Sequence, residues 1–212
     1  MFNTGIIHFL QQFDSSLLYW FMAFITLLGT TPMILILVLG ITFGVDFKKG
    51  LVLVNIVAWT ALLSTVLKQQ IDFPRPLDVD PAINAEYFES GDSDHTALQP
   101  AGFFETFSAE LLEQTRNDEW ENYGFPSGHA AIQMSLWISL VFLFKKRWIA
   151  ISGAIIVFLT LISRMYLGHH YLGDVLGGML LGFLLTTALI YLVMKSNYLS
   201  ELSQHFYSFS IL

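Results

Sequence analysis

The chain contains no cysteine and few charged residues. The absence of cysteine excludes disulfides and thiolate metal sites. Only 13% of the residues are charged whereas 54% are hydrophobic, a balance far more apolar than that of an ordinary soluble domain. No lysine or arginine precedes Lys48, so the basic start of a cleavable signal peptide is missing and we expect the N-terminal stretch to be retained. The composition indicates an integral membrane protein.

Long uncharged runs predict the helices that cross the membrane. At 1.5 Å per residue, a run of about 18 residues reaches about 27 Å, close to the thickness of a bilayer core. We therefore predict an all-α membrane bundle of five to six transmembrane helices, forming a single domain over residues 1–212. Residues 1–29 are expected to lie at the interface; the alternative is that they supply a sixth, tilted crossing. The five predicted crossings are residues 30–47, 50–67, 126–144, 148–166 and 171–194.

The net charge of −7 comes mainly from one segment. Of the 17 acidic residues, 13 fall between residues 69 and 123. We expect residues 77–125 to form an external loop with a short helix from Glu105 to Arg116, in which most charges are solvated. One hypothesis is that this loop covers the site and repels anionic headgroups. A metal site in the loop is disfavoured because no recognised ligand spacing is present; its ligands would be Asp92, Asp94 and His95.

Basic residues mark alternate helix junctions. The positive-inside rule assigns such junctions to the cytoplasmic side of a membrane. The opposite junctions then face outward, and they carry the remaining polar residues of the helix ends. We therefore predict a multi-pass protein of the inner membrane whose active site faces the periplasmic side. The cytoplasmic junctions are marked by Lys48, Lys49, Lys145, Lys146, Arg147 and Lys195.

Lys68 and Arg75 follow the second predicted crossing. Lys68 alone would be interpreted as an anchor that reaches to the lipid headgroups. Arg75 stands between Pro74 and Pro76, which stiffen the chain that carries its guanidinium. Because two cations held near each other suit an anion, the pair predicts a phosphate-binding site.

Ser127, Gly128 and His129 begin the third predicted crossing, directly after Pro126. Backbone N–H groups at a helix N-terminus lack intrahelical acceptors and bind phosphate well. Ser127 adds a hydroxyl donor, Gly128 lets an oxyanion approach the backbone, and His129 can exchange a proton near neutral pH. Taken alone, these residues are equally well explained as a helix cap with an interfacial histidine.

Arg164, His170 and Asp174 lie around the turn between the last two crossings. Residues four apart on a helix share a face, so the Asp174 carboxylate can bind one ring nitrogen of His170 and leave the other free as a nucleophile. His169 is five residues from Asp174 and is assigned to structure or headgroup contact. A carboxylate in a lipid-embedded helix is costly without a partner, which favours a functional role for Asp174 over a solvated cap.

Four glycines on the last crossing form two pairs, Gly173 with Gly177 and Gly178 with Gly182. Small residues at this spacing predict close packing against a neighbouring helix. Such packing would hold His170 and Asp174 in place, and we predict no catalytic role for the glycines themselves.

The three polar clusters resemble the motifs of the type 2 phosphatidic acid phosphatases, also called the PAP2 or lipid phosphate phosphatase family. They occur in the family's order and with its internal spacings. Residues 1–29 and the external loop add nothing to the resemblance. The matching residues are Lys68, Arg75 and Pro76 for the first motif, Pro126 to His129 for the second, and Ser163, Arg164, His170 and Asp174 for the third.

The resemblance implies a phosphatase that uses neither a metal nor a cofactor. His170 would attack phosphorus and form a phosphohistidine, Asp174 would orient and charge its imidazole, and His129 would protonate the leaving oxygen and then activate water. The other motif residues would hold the phosphoryl oxygens and stabilise the transition state. These are Lys68, Arg75, Ser127, Gly128 and Arg164.

The implied substrate is a lipid phosphate such as phosphatidic acid, phosphatidylglycerol phosphate or undecaprenyl pyrophosphate. The bilayer is the other expected partner, no nucleic-acid partner is expected, and the sequence does not predict an oligomeric state. Two alternatives stay open: transfer of the phosphate to another acceptor by the same site, and a non-catalytic protein that binds or transports lipid phosphates. The related vanadate-dependent haloperoxidases are soluble, so the predicted crossings argue against their reaction.

Overall fold

A computed structural model describes residues 1–13, 15–83, 100, 102–117 and 123–195. The regular structure in these residues is helical, without a strand, in agreement with the predicted all-α class. The helices, in chain order, are α1 (Gly5–Gln11), α2 (Ser16–Leu27), α3 (Thr31–Gly44), α4 (Phe47–Ile71), α5 (Pro76–Val79), α6 (Ala109–Asn117), α7 (Gly128–Phe144), α8 (Arg147–Tyr166) and α9 (Leu172–Lys195).

Polar residues between the apolar runs determine where several helices begin and end. The Ser15 side chain accepts a hydrogen bond from the Leu18 N–H at the start of α2. Asp46 caps α4 in the same way through the N–H groups of the two lysines that follow it. α4 and α7 end at Asp72 and Lys145, which both adopt the left-handed backbone conformation typical of helix C-termini.

α7 lies at the centre of the bundle and packs against α4, α8 and α9. Its contact with α9 is a contact between backbones. A Cβ atom added to Gly178 would lie 2.3 Å from the carbonyl oxygen of Ser127, and one added to Gly182 would lie 2.4 Å from that of Ala131. The close helix packing predicted from the glycine pairs is therefore found for Gly178 and Gly182, whereas Gly173 and Gly177 lie against the rings of Phe2 and Phe125.

Three helical segments are long and apolar enough to cross a membrane: residues 47–79, which include α4 and α5, together with α8 and α9. α2 and α3 meet at a 52° bend and pass the same test only as a pair, so the run predicted as a crossing at residues 30–47 is one arm of a bent pair, which is either a broken span or a re-entrant loop. α7 has 17 residues and a length of about 26 Å. The predicted total of five to six crossings therefore depends on α7 and stays a prediction.

The described part of residues 1–29 packs against the other helices, and the interfacial position predicted for this segment stays a prediction. α2 packs along α8, where the hydroxyl groups of Thr26 and Ser163 are hydrogen-bonded at 2.8 Å. α1 is tied to the end of α8 by the Gln11 side-chain amide, which donates to the Tyr166 carbonyl oxygen. These contacts arise because α1 and α2 bury Ile7, Met22 and Ile25 against the rest of the chain.

The basic helix junctions meet at one end of the bundle. The Lys49 ammonium lies 4.8 Å from the centroid of the Phe144 ring, which places the α3–α4 junction beside the α7–α8 junction. The opposite end carries the three polar clusters, and we call it the site end. Large apolar side chains such as those of Ile155, Phe158 and Leu184 point outward from the helices between the two ends. Such a surface suits lipid and not water.

Part of the acidic loop packs onto the site end. The helix predicted from Glu105 to Arg116 is observed as α6, and it buries Leu111 completely. Phe107 and Leu111 join a hydrophobic cluster with Leu77 and Tyr171, so this part of the loop is not simply solvated. The predicted alternative of a metal site lies outside the described residues, as do Asp92, Asp94 and His95.

Candidate active site

The first polar cluster is held against the second by two backbone contacts. Lys68 is in the last turn of α4, and its ammonium donates to the Tyr123 carbonyl oxygen at 2.8 Å. One residue further along, the Gly124 N–H donates to the Phe73 carbonyl oxygen at 2.6 Å. The segment that carries Arg75 therefore runs beside the segment that leads to Ser127.

Several buried polar atoms at the site end have no hydrogen-bond partner among the described residues, and three of them are the guanidinium and hydroxyl donors of the motifs. These three are Nε of Arg75, Oγ of Ser127 and Nε of Arg164. Ser127 occupies the N-cap position of α7, but its side chain makes no capping hydrogen bond, so the alternative interpretation as a simple helix cap does not hold. Buried donors without acceptors are costly, and an anion with several oxygens would satisfy all three.

His129 lies in the first turn of α7 and faces the bend between α2 and α3. A Cβ atom added to Gly29, the residue at this bend, would lie 3.1 Å from Cδ2 of His129 and 3.4 Å from the Gln133 side chain. The glycine thus lets the bend approach the histidine ring. At Gly128 an added Cβ atom would contact only the Ser64 hydroxyl, at 3.4 Å, so the backbone there remains accessible to a ligand.

His170 and Asp174 are almost completely buried, with 1% and 0% of their surfaces exposed. Nδ1 of His170 lies 3.4 Å from Oδ2 of Asp174, within the range of an electrostatic contact but without the geometry of a hydrogen bond. Oδ2 also accepts the Tyr171 N–H at 2.9 Å, which fixes the carboxylate. The predicted pairing of the two residues is therefore found, but His170 lies in the turn before α9 and not on the helix, and Asp174 reaches it from the first helical turn. Nε2 is the other nitrogen of the His170 ring.

The charges around His170 favour its neutral form. Burial, followed by the positive charges of Arg164, Lys68 and Arg75, lowers the pKa of His170 well below its usual value. A neutral imidazole retains a lone pair and is therefore a nucleophile near neutral pH. Two cations from the first motif and one from the third therefore lie close enough to act on the same ring.

His169, the rival of His170, is also buried. The N–H groups of both histidines are directed at the carbonyl oxygen of Arg164, which holds the turn together. Asp174 lies beside the ring of His170, the second of the two histidines. Both histidines precede α9, so helical phase does not distinguish them; the contact with Asp174 favours His170 as the nucleophile, and this role stays a prediction.

The sequence did not reveal the contacts that join the motifs to each other and to the adjacent Gly124. The Asp174 carbonyl oxygen accepts the Ser127 N–H at 2.9 Å, which joins the second and third clusters through their backbones. Gly124 lies so close to Asp174 that an added Cβ atom would be 2.9 Å from Oδ2. A glycine just before the second motif was the available signal for this close approach.

An apolar cavity of about 630 Å³ lies between the bent α2–α3 pair and helices α7 and α8. It begins at Gln133, one helical turn below His129, and extends to Lys146 and Trp148 at the opposite end of the bundle. Its walls between these ends are almost entirely apolar; they include Leu28, Met33, Leu37, Leu136, Leu140 and Phe144. The cavity offers a hydrocarbon chain a place next to the polar site.

The sequence matches the PAP2 superfamily over residues 49–198, which contain all three motifs. It is 30% identical over 174 residues to phosphatidylglycerophosphatase B of Bacillus subtilis, and the match covers 76% of this chain and 68% of that protein. The crystal structure of the transmembrane PAP2-type phosphatidylglycerolphosphate phosphatase from Bacillus subtilis is similar, with a TM-score of 0.61 and 27% identity. That similarity covers 91% of this chain and 84% of the other.

A shorter match links the chain to lipid A 4'-phosphatase of Bacteroides thetaiotaomicron. The two are 45% identical over 74 residues, which are 35% of this chain but only 33% of that protein. The chain therefore spans about a third of the length of this relative in the matched region.

Proposed function

Because the chain belongs to the PAP2 superfamily, we propose that it is an integral-membrane phosphatase that removes phosphate from a lipid. The observation that carries this proposal is the convergence of buried, unpartnered donors on a buried His170–Asp174 pair. Phosphate offers these donors the acceptors that they lack, and His170 is a neutral nucleophile beside them.

The phosphate group is held mainly by cations and by the start of α7. Arg75 and Arg164 donate to its oxygens, and Lys68 contributes a further positive charge. Ser127 and the Gly128 N–H contact the same group at the helix N-terminus, where the helix dipole also favours an anion. These donors stabilise the charge that builds up on the equatorial oxygens in the transition state.

The reaction proceeds in two displacements at phosphorus. In the first, Nε2 of His170 forms a bond to phosphorus while the bond from phosphorus to the lipid oxygen breaks, and His129 donates a proton to that oxygen. Asp174 stabilises the positive charge that the His170 ring acquires. In the second, His129 takes a proton from water, the water oxygen bonds to phosphorus, and the bond from phosphorus to Nε2 breaks. Phosphate and neutral His170 result.

The lipid part of the substrate lies in the apolar cavity. The bond that breaks joins phosphorus to the lipid oxygen next to His129, so the hydrocarbon must extend from the His129 side of the site. The cavity begins one turn below His129 on the same helix. Phosphatidylglycerophosphate and lipid A, the substrates named for relatives of this chain, and undecaprenyl pyrophosphate all combine such a chain with a phosphate group.

The site faces the periplasmic side of the inner membrane. This orientation follows from the positive-inside rule, because the basic junctions near Lys49 and Lys146 lie at the end of the bundle opposite the site. The absence of native cysteine makes a direct test simple. In intact cells, a membrane-impermeant maleimide should label Ser108→Cys, whereas Lys146→Cys should react only after permeabilisation; the reverse pattern would overturn the orientation.

The activity is tested by release of inorganic phosphate from phosphatidic acid, phosphatidylglycerophosphate and undecaprenyl pyrophosphate by the purified protein in detergent. His170→Ala should abolish release, because no nucleophile remains, while His169→Ala should retain a substantial part. Undiminished release by His170→Ala would refute the mechanism. If phosphate left the lipid but appeared in a second organic product, the enzyme would be a phosphotransferase.

A further inference from the structure

Phe2 lies at the centre of a group of aromatic rings at the site end. Its ring centroid is 5.3 Å from that of Phe73, 5.5 Å from Phe107, 6.0 Å from Phe125 and 6.2 Å from Tyr171. Within this group of described residues, only Phe2 contacts all four of the others. The planes meet mainly edge to face, which is a favourable arrangement for aromatic pairs.

Three of these rings adjoin the three phosphate-site segments in the chain. Phe73 comes two residues before Arg75, Phe125 comes two residues before Ser127, and Tyr171 directly follows His170. A single side chain from the N-terminal segment therefore touches the neighbours of all three motifs, which are far apart in sequence.

The first turn of α9 is in direct contact with the same side chain. A Cβ atom added to Gly173 would lie 2.5 Å from Cε1 and Cζ of Phe2, and the Gly173 N–H donates to the Met1 carbonyl oxygen at 3.2 Å. Gly173 precedes Asp174. The N-terminal segment thus sets the position of the turn that carries the carboxylate.

Short links connect the aromatic group to the proposed reacting atoms. The Tyr171 N–H donates to Oδ2 of Asp174, the atom that lies 3.4 Å from Nδ1 of His170. The Gly124 N–H, next to Phe125, donates to the Phe73 carbonyl oxygen. If one of these rings moved, the adjacent residues would also move the His170 imidazole or the segment that carries Arg75.

We propose that Phe2 is a positioning residue, which holds the three motif segments in the register that phosphoryl transfer requires. The inference rests on the proposed function and extends it to a segment outside the motifs. Misplacement of reacting groups by about 1 Å can lower a rate by about 100-fold. Loss of this ring should accordingly reduce kcat, while the cations that bind phosphate keep KM nearly unchanged.

The test compares Phe2→Ala with Phe9→Ala, using phosphatidic acid in detergent micelles. Phe9 is a matched control, since it lies in the same N-terminal segment but is 57% exposed and its ring packs edge to face against that of Phe13, away from the five-ring group. Phe2→Ala should lower kcat about 10- to 100-fold with KM within about threefold. Phe9→Ala should change neither.

A second variant probes the same contact from the other side. Gly173→Ala places a methyl group against the Phe2 ring and should also lower kcat with little change in KM. In the double variant Phe2→Ala with Gly173→Ala, the losses should not multiply, because both substitutions act through one contact. Multiplicative losses would contradict the inference.

The outcomes separate this inference from the proposed function. Kinetic constants are referred to folded protein, measured by thermal unfolding and size-exclusion chromatography. If Phe2→Ala kept the kcat of Phe9→Ala, or lost activity only through loss of folded protein, Phe2 would be a packing residue and the phosphatase assignment would stand. If Phe2→Ala failed to fold, Phe2→Leu would be judged by the same kcat criterion. Activity in His170→Ala would instead defeat the proposed function.

Discussion

Nδ1 of His170 lies 3.4 Å from Oδ2 of Asp174, and the same oxygen accepts the Tyr171 N–H. The backbone therefore holds the Asp174 carboxylate in place beside the His170 imidazole. An uncharged side chain of the same shape at position 174 would keep the hydrogen bond from the Tyr171 N–H. It would no longer stabilise a positively charged His170 ring.

Asp174→Asn should therefore lower kcat about 100- to 10,000-fold with little effect on KM, because charge on His170 develops only during the reaction. Steady-state kinetics of phosphate release measure both constants. Asp72→Asn is the control, since Asp72 pairs with Arg116 beside the site and has no contact with a histidine. Equal losses in the two variants would indicate a general effect of charge at the site end.

Ser127→Ala should lower kcat/KM about 100- to 1,000-fold, because it removes a donor to the phosphate oxygens. It should leave the free energy of unfolding within about 0.5 kcal/mol of the parent, since the Ser127 hydroxyl makes no hydrogen bond to the part of the chain that the structure describes. Ser139 is a buried, unpartnered hydroxyl further along α7, so Ser139→Ala should be neutral in both measurements. A loss of stability without a loss of activity would show that Ser127 acts as a helix cap and not as a donor to the phosphate.

Gly178→Ala should reduce the free energy of unfolding by about 1–3 kcal/mol, because its methyl group would collide with the Ser127 carbonyl oxygen and separate α9 from α7. Activity should fall with it, as Ser127 and Asp174 are joined across this contact. In contrast, a methyl group at Gly40 in α3 meets nothing within 4 Å. Gly40→Ala should stabilise the protein by about 0.5–1 kcal/mol in the same thermal unfolding experiment.

Leu37→Trp should raise KM for long-chain lipid phosphates about tenfold, because Leu37 lines the apolar cavity and a larger ring would displace hydrocarbon. A short-chain, soluble phosphate ester should be hydrolysed at the parental rate. Leu39→Trp is closely matched, since Leu39 is on the same helix and 41% exposed against 40% for Leu37, but does not line the cavity. An equal KM increase in Leu39→Trp would show that the cavity does not bind the chain.

Asp80→Asn should destabilise the protein by about 1–3 kcal/mol at neutral pH. Burial opposes the charged form of Asp80, but hydrogen bonds from His8, Thr4 and the Ala82 N–H outweigh it and lower the pKa of the carboxyl group. A lowered pKa means that this stabilisation is present above about pH 4 and is lost as the pH falls through the folded-state pKa. The difference in melting temperature between parent and variant should therefore hold from pH 7 to about pH 4 and shrink below pH 4; a difference that stayed constant below pH 4 would contradict the role of this charge.

The sequence identified the polar residues that meet at the site end better than it identified the groups that surround them. Charged residues stand out in long apolar runs, and the four-residue spacing of His170 and Asp174 is a local property of the chain. The ring contacts of Phe2 are long-range, and in a membrane protein an aromatic residue that packs inward has the same sequence signal as one that faces lipid. The bend at Gly29 was hidden for a related reason, since both of its arms are equally apolar.

α7 contacts its neighbouring helices in two different ways, and the two contacts restrict the site to different degrees. α9 touches it backbone to backbone at Gly178 and Gly182, so the spacing of the proposed catalytic groups has almost no freedom to vary. The bent α2–α3 pair faces it across a cavity lined by interchangeable apolar side chains. Substitutions during evolution can therefore change the shape of the apolar cavity while the positions of the proposed catalytic groups stay the same. The same site can in this way be adapted to lipids of different size.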